Sequence, residues 1–270
     1  MAKQRGVVKY VGTLGDIRHF KIKGLSGYYA GLVGGPTAEQ IKTDPAFKRT
    51  RENMNEFGGC GLVGKAIRTA MSSLVKNMAD PRFTGRLTAI LKKINLEDGS
   101  EARGRRAILI SQVPRHLVGL DFNKNISLDG IFQAPHTLTP TATRESTTLD
   151  VPAFNPLSFI NAPAGATHFR LINSVVSISD FQFNADDKTY ERKEAALSEL
   201  VDIQYSDYTA LDVTTAPISL TATLPGSPTL TNDVSVLACM GIEFYQQVGS
   251  EYYLFNSGNA LKIKDVLVGA

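Results

Sequence analysis

The hydrophobic period of this chain changes near Gly104, and that change limits the fold more than any single motif. Before it, between about 44 and 95, apolar residues return every three or four positions. After it, short apolar runs alternate with Pro, Asn, Asp and Ser turns for the rest of the chain. The first pattern belongs to helices that bury one stripe, the second to short strands. A chain holding both is an α+β protein. Two regions are expected, a basic one over 1–104 and an acidic, mostly β one over 105–270.

Residues 6–34 read as short strands with Gly-rich turns. Val7, Val8, Tyr10 and Val11 lead into Gly12-Thr13-Leu14-Gly15-Asp16. Ile17 to Lys23 alternates, with Ile17, His19, Lys21 and Lys23 on one side and Arg18, Phe20 and Ile22 on the other. Tyr28 to Val33 ends at Gly34-Gly35-Pro36. Alternation broken by glycine predicts an N-terminal β-meander.

Three helices are expected next. Asp44-Pro45 and Asp80-Pro81 each put a carboxylate cap ahead of a first-turn proline. The first helix spans about 45–57 and is stopped by Gly58-Gly59. The second spans about 61–78, with Val63, Ile67, Ala70, Leu74 and Met78 on one face and Lys65, Arg68 and Lys76 on the other. The third spans about 81–94, with Leu87, Ile90, Leu91 and Ile94 inward and Arg82, Arg86, Lys92 and Lys93 outward.

Beyond Gly104, strands are expected at 107–110, 116–122, 126–132, 149–154, 168–178, 200–205, 217–224, 235–248, 252–255 and 261–268. One helix is expected at about 188–200. Short strands with polar turns make an antiparallel β-sandwich-like region.

Charge follows the same division. Met1 to His116 holds 21 Lys and Arg against 9 Asp and Glu, a net +12. Leu117 to Ala270 holds 8 against 17, a net −9, so the total of +3 hides a strong dipole. Opposite potentials steer copies of one protein into head-to-tail contact, and a basic face equally attracts nucleic acid.

The chemistry-bearing residues form no recognised constellation. Gly59-Cys60-Gly61-Leu62-Val63-Gly64-Lys65-Ala66 approaches a phosphate-binding loop, but Ala66 stands where a hydroxyl would meet magnesium and no strand precedes it. Close helix–helix approach at a turn explains these glycines as well. His19, His116, His136 and His168 lack metal-ligand spacing, and no Gly-x-Ser-x-Gly elbow is present. Cys60 and Cys239 read as two small buried hydrophobes. With no run of about 18 apolar residues and no signal-peptide pattern in the N-terminal residues, a protein that is cytoplasmic when made is expected, and export by a route that needs no signal stays open.

Several stretches together resemble a protein family found in Bacteroidota for which no activity is established. They are Gly12-Thr13-Leu14-Gly15-Asp16-Ile17, then Asp44 to Asn53 with Glu56-Phe57-Gly58. Ala162 to Phe169 and Gly241-Ile242-Glu243-Phe244-Tyr245 continue the likeness. The resemblance covers most of the chain. It implies one shared architecture and no particular chemistry.

These readings favour a self-assembling structural protein over an enzyme: a subunit of a cytoplasmic filament, tube or shell, with no cofactor, no metal and no membrane partner. Its partner is itself. The expected contact sets Lys65, Arg68, Lys76, Arg82, Arg86, Lys92 and Lys93 of one copy against Asp186, Asp187, Glu191 and Glu194 of the next. The competing reading is a nucleic-acid-binding protein using the basic helical face, although that face shows no interleaved aromatics on which bases would stack.

Overall fold

The computed structural model describes residues 1–269 and divides into two compact units, Met1–Arg51 and Glu52–Ala270. The first is built on a four-stranded antiparallel sheet of β1 (Ala2–Lys3), β2 (Gly12–Leu14), β3 (Ile17–Phe20) and β4 (Tyr29–Leu32), in the order β1-β4-β3-β2. The expected meander is present as β2-β3-β4. Its tight turn depends on Gly15, whose φ of 55° an L side chain rarely adopts. The run 7–11 is bend and irregular chain rather than strand. A short helix, α1 (Ala38–Thr43), follows. It opens on a capping box in which Thr37 Oγ1 accepts from Gln40 N at 3.1 Å and Gln40 Oε1 accepts from Thr37 N at 2.7 Å.

Helix α2 (Lys48–Ala70) runs straight through Gly58-Gly59, which the sequence marks as a stop. The physical reason is packing. A Cβ on Gly59 would lie 2.6 Å from the Tyr190 ring, and one on Gly64 would touch Leu91. These glycines admit neighbours against the helix wall and do not end it. The break falls at Met71, after which α3 (Ser72–Met78) begins. Helix α4 (Phe83–Glu97) matches the third expected helix. Asp80 caps its approach as expected, its Oδ1 accepting from Arg82 N at 2.6 Å.

The remaining elements are α5 (Leu128–Ile131), β5 (Thr137–Pro140), β6 (Ser146–Val151), α6 (Pro156–Phe159), β7 (His168–Ser179), β8 (Phe181–Asn184), β9 (Thr189–Arg192), β10 (Val201–Tyr205), β11 (Thr209–Ala210), β12 (Ile218–Thr223), β13 (Val234–Val248), β14 (Glu251–Leu254) and β15 (Ala260–Leu267). The long strands β7 and β13 pair along their length. Strands β10 and β11 join β7, and β14 and β15 join β13. A second sheet, β12-β6-β5, packs on this one.

Layer order follows from the alternation along β7. Ile172, Val176 and Ile178 join Val63, Ile67, Leu74, Leu87 and Leu91 of the helices in one core. Phe169 and Leu171 join Leu149 and Val151 of β6 and Met240, Ile242 and Phe244 of β13 in another. The large sheet is therefore covered on both faces, by helices and by the second sheet. The α+β class and its sandwich-like β region stand.

Three expected strands are not strands. Residues 107–110 form a single bridge, Ile108 to Phe181; 114–116 form a 3-10 turn; and 128–131 form the one-turn helix α5. The helix expected at 188–200 is strand β9 followed by a 3-10 turn at Ala195–Leu197. Lys188, at φ 54°, closes the turn into β9. Tyr190 then points into the core, where its hydroxyl donates to Arg106 O at 2.8 Å.

Candidate assembly surfaces

The basic residues singled out on the helices separate into two groups. Lys65, Lys76, Arg82 and Lys93 are exposed, and Arg68 is half-buried with Nε donating to Gly64 O at 3.1 Å. Arg86 and Lys92 are committed inside the molecule. Arg86 donates to Asp80 Oδ2 at 2.6 Å, to Asp121 O at 2.9 Å and to Phe122 O at 2.8 Å. Burial works against the charge of Asp80, but hydrogen bonds from Lys124 N, Arg82 N and Arg86 outweigh it and hold its carboxyl below the usual range. Lys92 is ion-paired with buried Glu56 and donates to Asn95 Oδ1 at 2.7 Å.

On the acidic side, Asp186 and Asp187 sit exposed at the β8–β9 turn, with their backbone N–H groups on Asn184 Oδ1. Glu191 and Glu194 are half-buried, and Glu191 accepts from Asn184 Nδ2 at 3.0 Å. Lys65 and Glu191 line one groove of about 580 Å³, together with Leu62 and Tyr190. Lys65 of one set and Glu191 of the other thus meet at one groove within a single copy, between α2 and β9. Contact with a neighbour through these residues competes with that meeting.

The near phosphate-binding sequence lies inside α2. Its backbone N–H groups serve the helix ladder and cradle no loop-bound anion. Cys60 and Cys239 are both free and buried in the helix-side core, and burial pushes each thiol up to about 12. Thiols in that state are inert as nucleophiles at neutral pH.

Two surfaces stand out that the sequence reading did not select. The first is the whole N-terminal unit. No residue of 1–51 is buried. Leu14, Ile17 and Leu32 are directly paired across β2, β3 and β4, so they form one apolar row on one face of the sheet. They are 76%, 43% and 81% exposed. Val7, Val8, Val11 and Val33 of the same unit are exposed as well. The unit carries ten Lys and Arg against three Asp and Glu, a net +7, whereas Glu52–Ala270 holds 19 against 23, a net −4.

The second is an apolar groove of about 380 Å³ at one end of the three-stranded sheet. Pro135, Pro152 and Pro217 wall it, with Val151 and Ile218 at its base and no Lys or Arg in its lining. Its carboxylate is Asp150, whose Oδ1 accepts from Ser219 Oγ at 2.6 Å. His136 lies beside them with Nδ1 2.9 Å from Ala134 O. Ser219 is therefore bonded to the carboxylate and not to the imidazole, which differs from the order in a serine–histidine–carboxylate relay. The stretch of chain that supplies Pro217, Ile218 and Ser219 to the groove carries acidic charge alone. From Glu194 to Leu261 there are eight Asp and Glu and not one Lys or Arg.

No protein-family model, no curated protein and no solved structure matches this chain. No helix among the described residues is long and apolar enough to cross a membrane.

Proposed function

We propose that the protein is a self-assembling structural subunit, built with copies of itself into a cytoplasmic filament, tube or shell by head-to-tail contacts. One observation carries this reading. Residues 1–51 fold on a four-stranded sheet, bury none of their own residues and leave a row of aliphatic side chains exposed. A sheet of this size without a core is marginal by itself and is stabilised by surface supplied from elsewhere. The opposite net charges of the two units give a copy of the same chain the complementary potential. A contact between unlike patches propagates into a ring or an open helix according to the rotation it imposes.

Nucleic acid is the second reading, and Tyr28 favours it. Lys9 and Lys21 lie over its ring at 5.7 and 4.6 Å from the centroid, so the basic unit does interleave cations with an aromatic. The aliphatic row is what this reading leaves unexplained, since base stacking uses rings and phosphates use cations.

Negative-stain electron microscopy of the nuclease-treated full chain tests the proposal. Ordered polymers are the expected result, and isolated particles of single-copy size at every concentration refute it. Assembly followed by light scattering is expected to slow with added salt, while the finished polymer resists the same salt. Steering is screened over the Debye length, whereas apolar contact is not. An assembly rate independent of salt removes the charge-steering part of the account.

A further inference from the structure

We propose that the seat for the N-terminal unit is the proline-walled groove of a second copy, with the Leu14–Ile17–Leu32 row laid across Pro135, Pro152, Pro217 and Ile218. The inference rests on the self-assembly reading and names the two surfaces that carry it.

Three features fit the surfaces to each other. Both are apolar and open to solvent. The row holds three aliphatic side chains on adjacent strands, and the groove base is Val151 and Ile218. Strands lie about 4.8 Å apart, so the row spans roughly 10 Å and presents a ridge rather than a point.

Charge supplies the second feature. The donor unit carries a net +7. The groove lining holds Asp150 and no Lys or Arg, and the stretch from Glu194 to Leu261 that supplies Pro217, Ile218 and Ser219 to it has only acidic charges. The groove beside α2 is a poorer seat. Lys65 and Arg192 line it along with Glu191 and Glu199, and Arg192 is already ion-paired with Glu199. A basic partner gains little where cations already stand.

The third feature is stiffness. Proline has one fixed backbone angle and no N–H to offer a new strand. Pro135, Pro152 and Pro217 lie at the strand ends of β5, β6 and β12, where they discourage edge-to-edge pairing. The incoming sheet therefore docks face-on. Walls that are rigid before contact lose little entropy on contact, which raises affinity for a given area.

The contact is heterologous, and that makes it testable with two full-length variants. In the first, Leu14→Asp with Leu32→Asp places carboxylates on the row. In the second, Pro152→Asp with Pro217→Asp places carboxylates on the groove wall, so that an altered row and an altered groove repel each other. All four positions are exposed, and circular dichroism with thermal melts checks that each variant keeps the wild-type fold. In sedimentation velocity, the wild-type chain is expected to form large species. Each variant alone is expected to need at least a tenfold higher concentration to assemble. An equimolar mixture is expected to give a heterodimer and stop there, because it holds one intact row and one intact groove per pair.

If the wild type assembles and the mixture stays monomeric, or if either variant assembles like the wild type, the seat is wrong and the self-assembly reading survives. If the wild type is monomeric throughout, or is large only until nuclease is added, the reading and the seat fall together.

Discussion

Replacing Lys92 with Ala is expected to lower the unfolding free energy by about 3–5 kcal/mol, because it strands a buried carboxylate. Glu56 is only 2% exposed, and Lys92 is its ion-pair partner. Its other oxygen accepts from Gly104 N at 2.7 Å. The same lysine holds Asn95, whose Nδ2 donates to Arg106 O at 2.6 Å. The pair therefore ties α2, α4 and the 103–107 loop into one network. Gly104 is confined there at φ 94°, where a Cβ would meet Glu52 at 2.8 Å.

Denaturant unfolding at pH 7 measures the effect. A paired variant, Lys92→Met with Glu56→Gln, is expected to regain most of the loss, since it removes both charges and keeps an acceptor for Gly104 N. A Lys92→Ala protein within about 1 kcal/mol of wild type would mean that Glu56 is solvated in the folded state.

The second large effect is a pH dependence set by Asp180. This residue follows β7, is wholly buried, and accepts from Ser111 N at 3.1 Å and from Ser111 Oγ. Burial pushes its carboxyl up to about 6, against the hydrogen bonds from Ser111 and the attraction of Lys193; Asp233 adds a small push in the same direction as burial. Lys193 and Asp233 are themselves ion-paired at 2.8 Å.

A carboxyl raised in the folded state binds its proton more tightly there than in the unfolded chain. Its contribution is fully present below the unfolded value near 4 and is lost as pH rises through about 6. The loss amounts to roughly 3 kcal/mol, taking 1.36 kcal/mol per pH unit. Asp180→Asn is expected to flatten the stability profile between pH 4 and 6.5 and to exceed the wild type at pH 7. Its Oδ1 still accepts from Ser111 N, and Ser111 Oγ can accept from the new amide. A wild-type profile that rises steadily through this window would show that Asp180 stays charged in the fold.

The regular elements were legible in the sequence where a single period ran long enough to dominate. The stripe through Val63, Ile67 and Leu74 and the one through Leu87, Leu91 and Ile94 pointed to the helical layer, and the runs at 168–178, 235–248 and 261–268 became β7, β13 and β15. Gly58-Gly59 misled because glycine has two uses. It ends helices, and it admits a neighbour where a methyl would clash, as Tyr190 does at Gly59. Helix α1 was visible in principle, since Thr37 and Gln40 have capping-box spacing, but six residues show too little periodicity.

Surface charge was legible in amount and not in commitment. Arg86 and Lys92 fall on the polar face of the helical pattern, yet both are held by groups far away in sequence, Asp121 and Phe122 for one and Glu56 for the other. The groove had no local signal. Pro135, Pro152 and Pro217 are separated by 17 and 65 residues, and only the pairing of β5, β6 and β12 brings them together. The exposed row was hidden for the opposite reason. Leu14, Ile17 and Leu32 look like ordinary core residues of a meander, and only their exposure, with no core supplied by residues 1–51 themselves, shows otherwise.

The central claim is that residues 1–51 obtain their missing cover from another copy, and amide hydrogen exchange of the full chain at rising protein concentration tests it most directly. The account predicts that the amides of Ile17–Phe20 and Tyr29–Leu32 exchange quickly in dilute solution and become protected as copies meet, while those of β7 and β13 are slow throughout. Exchange in residues 1–51 that is the same at every concentration, fast or slow, would contradict it.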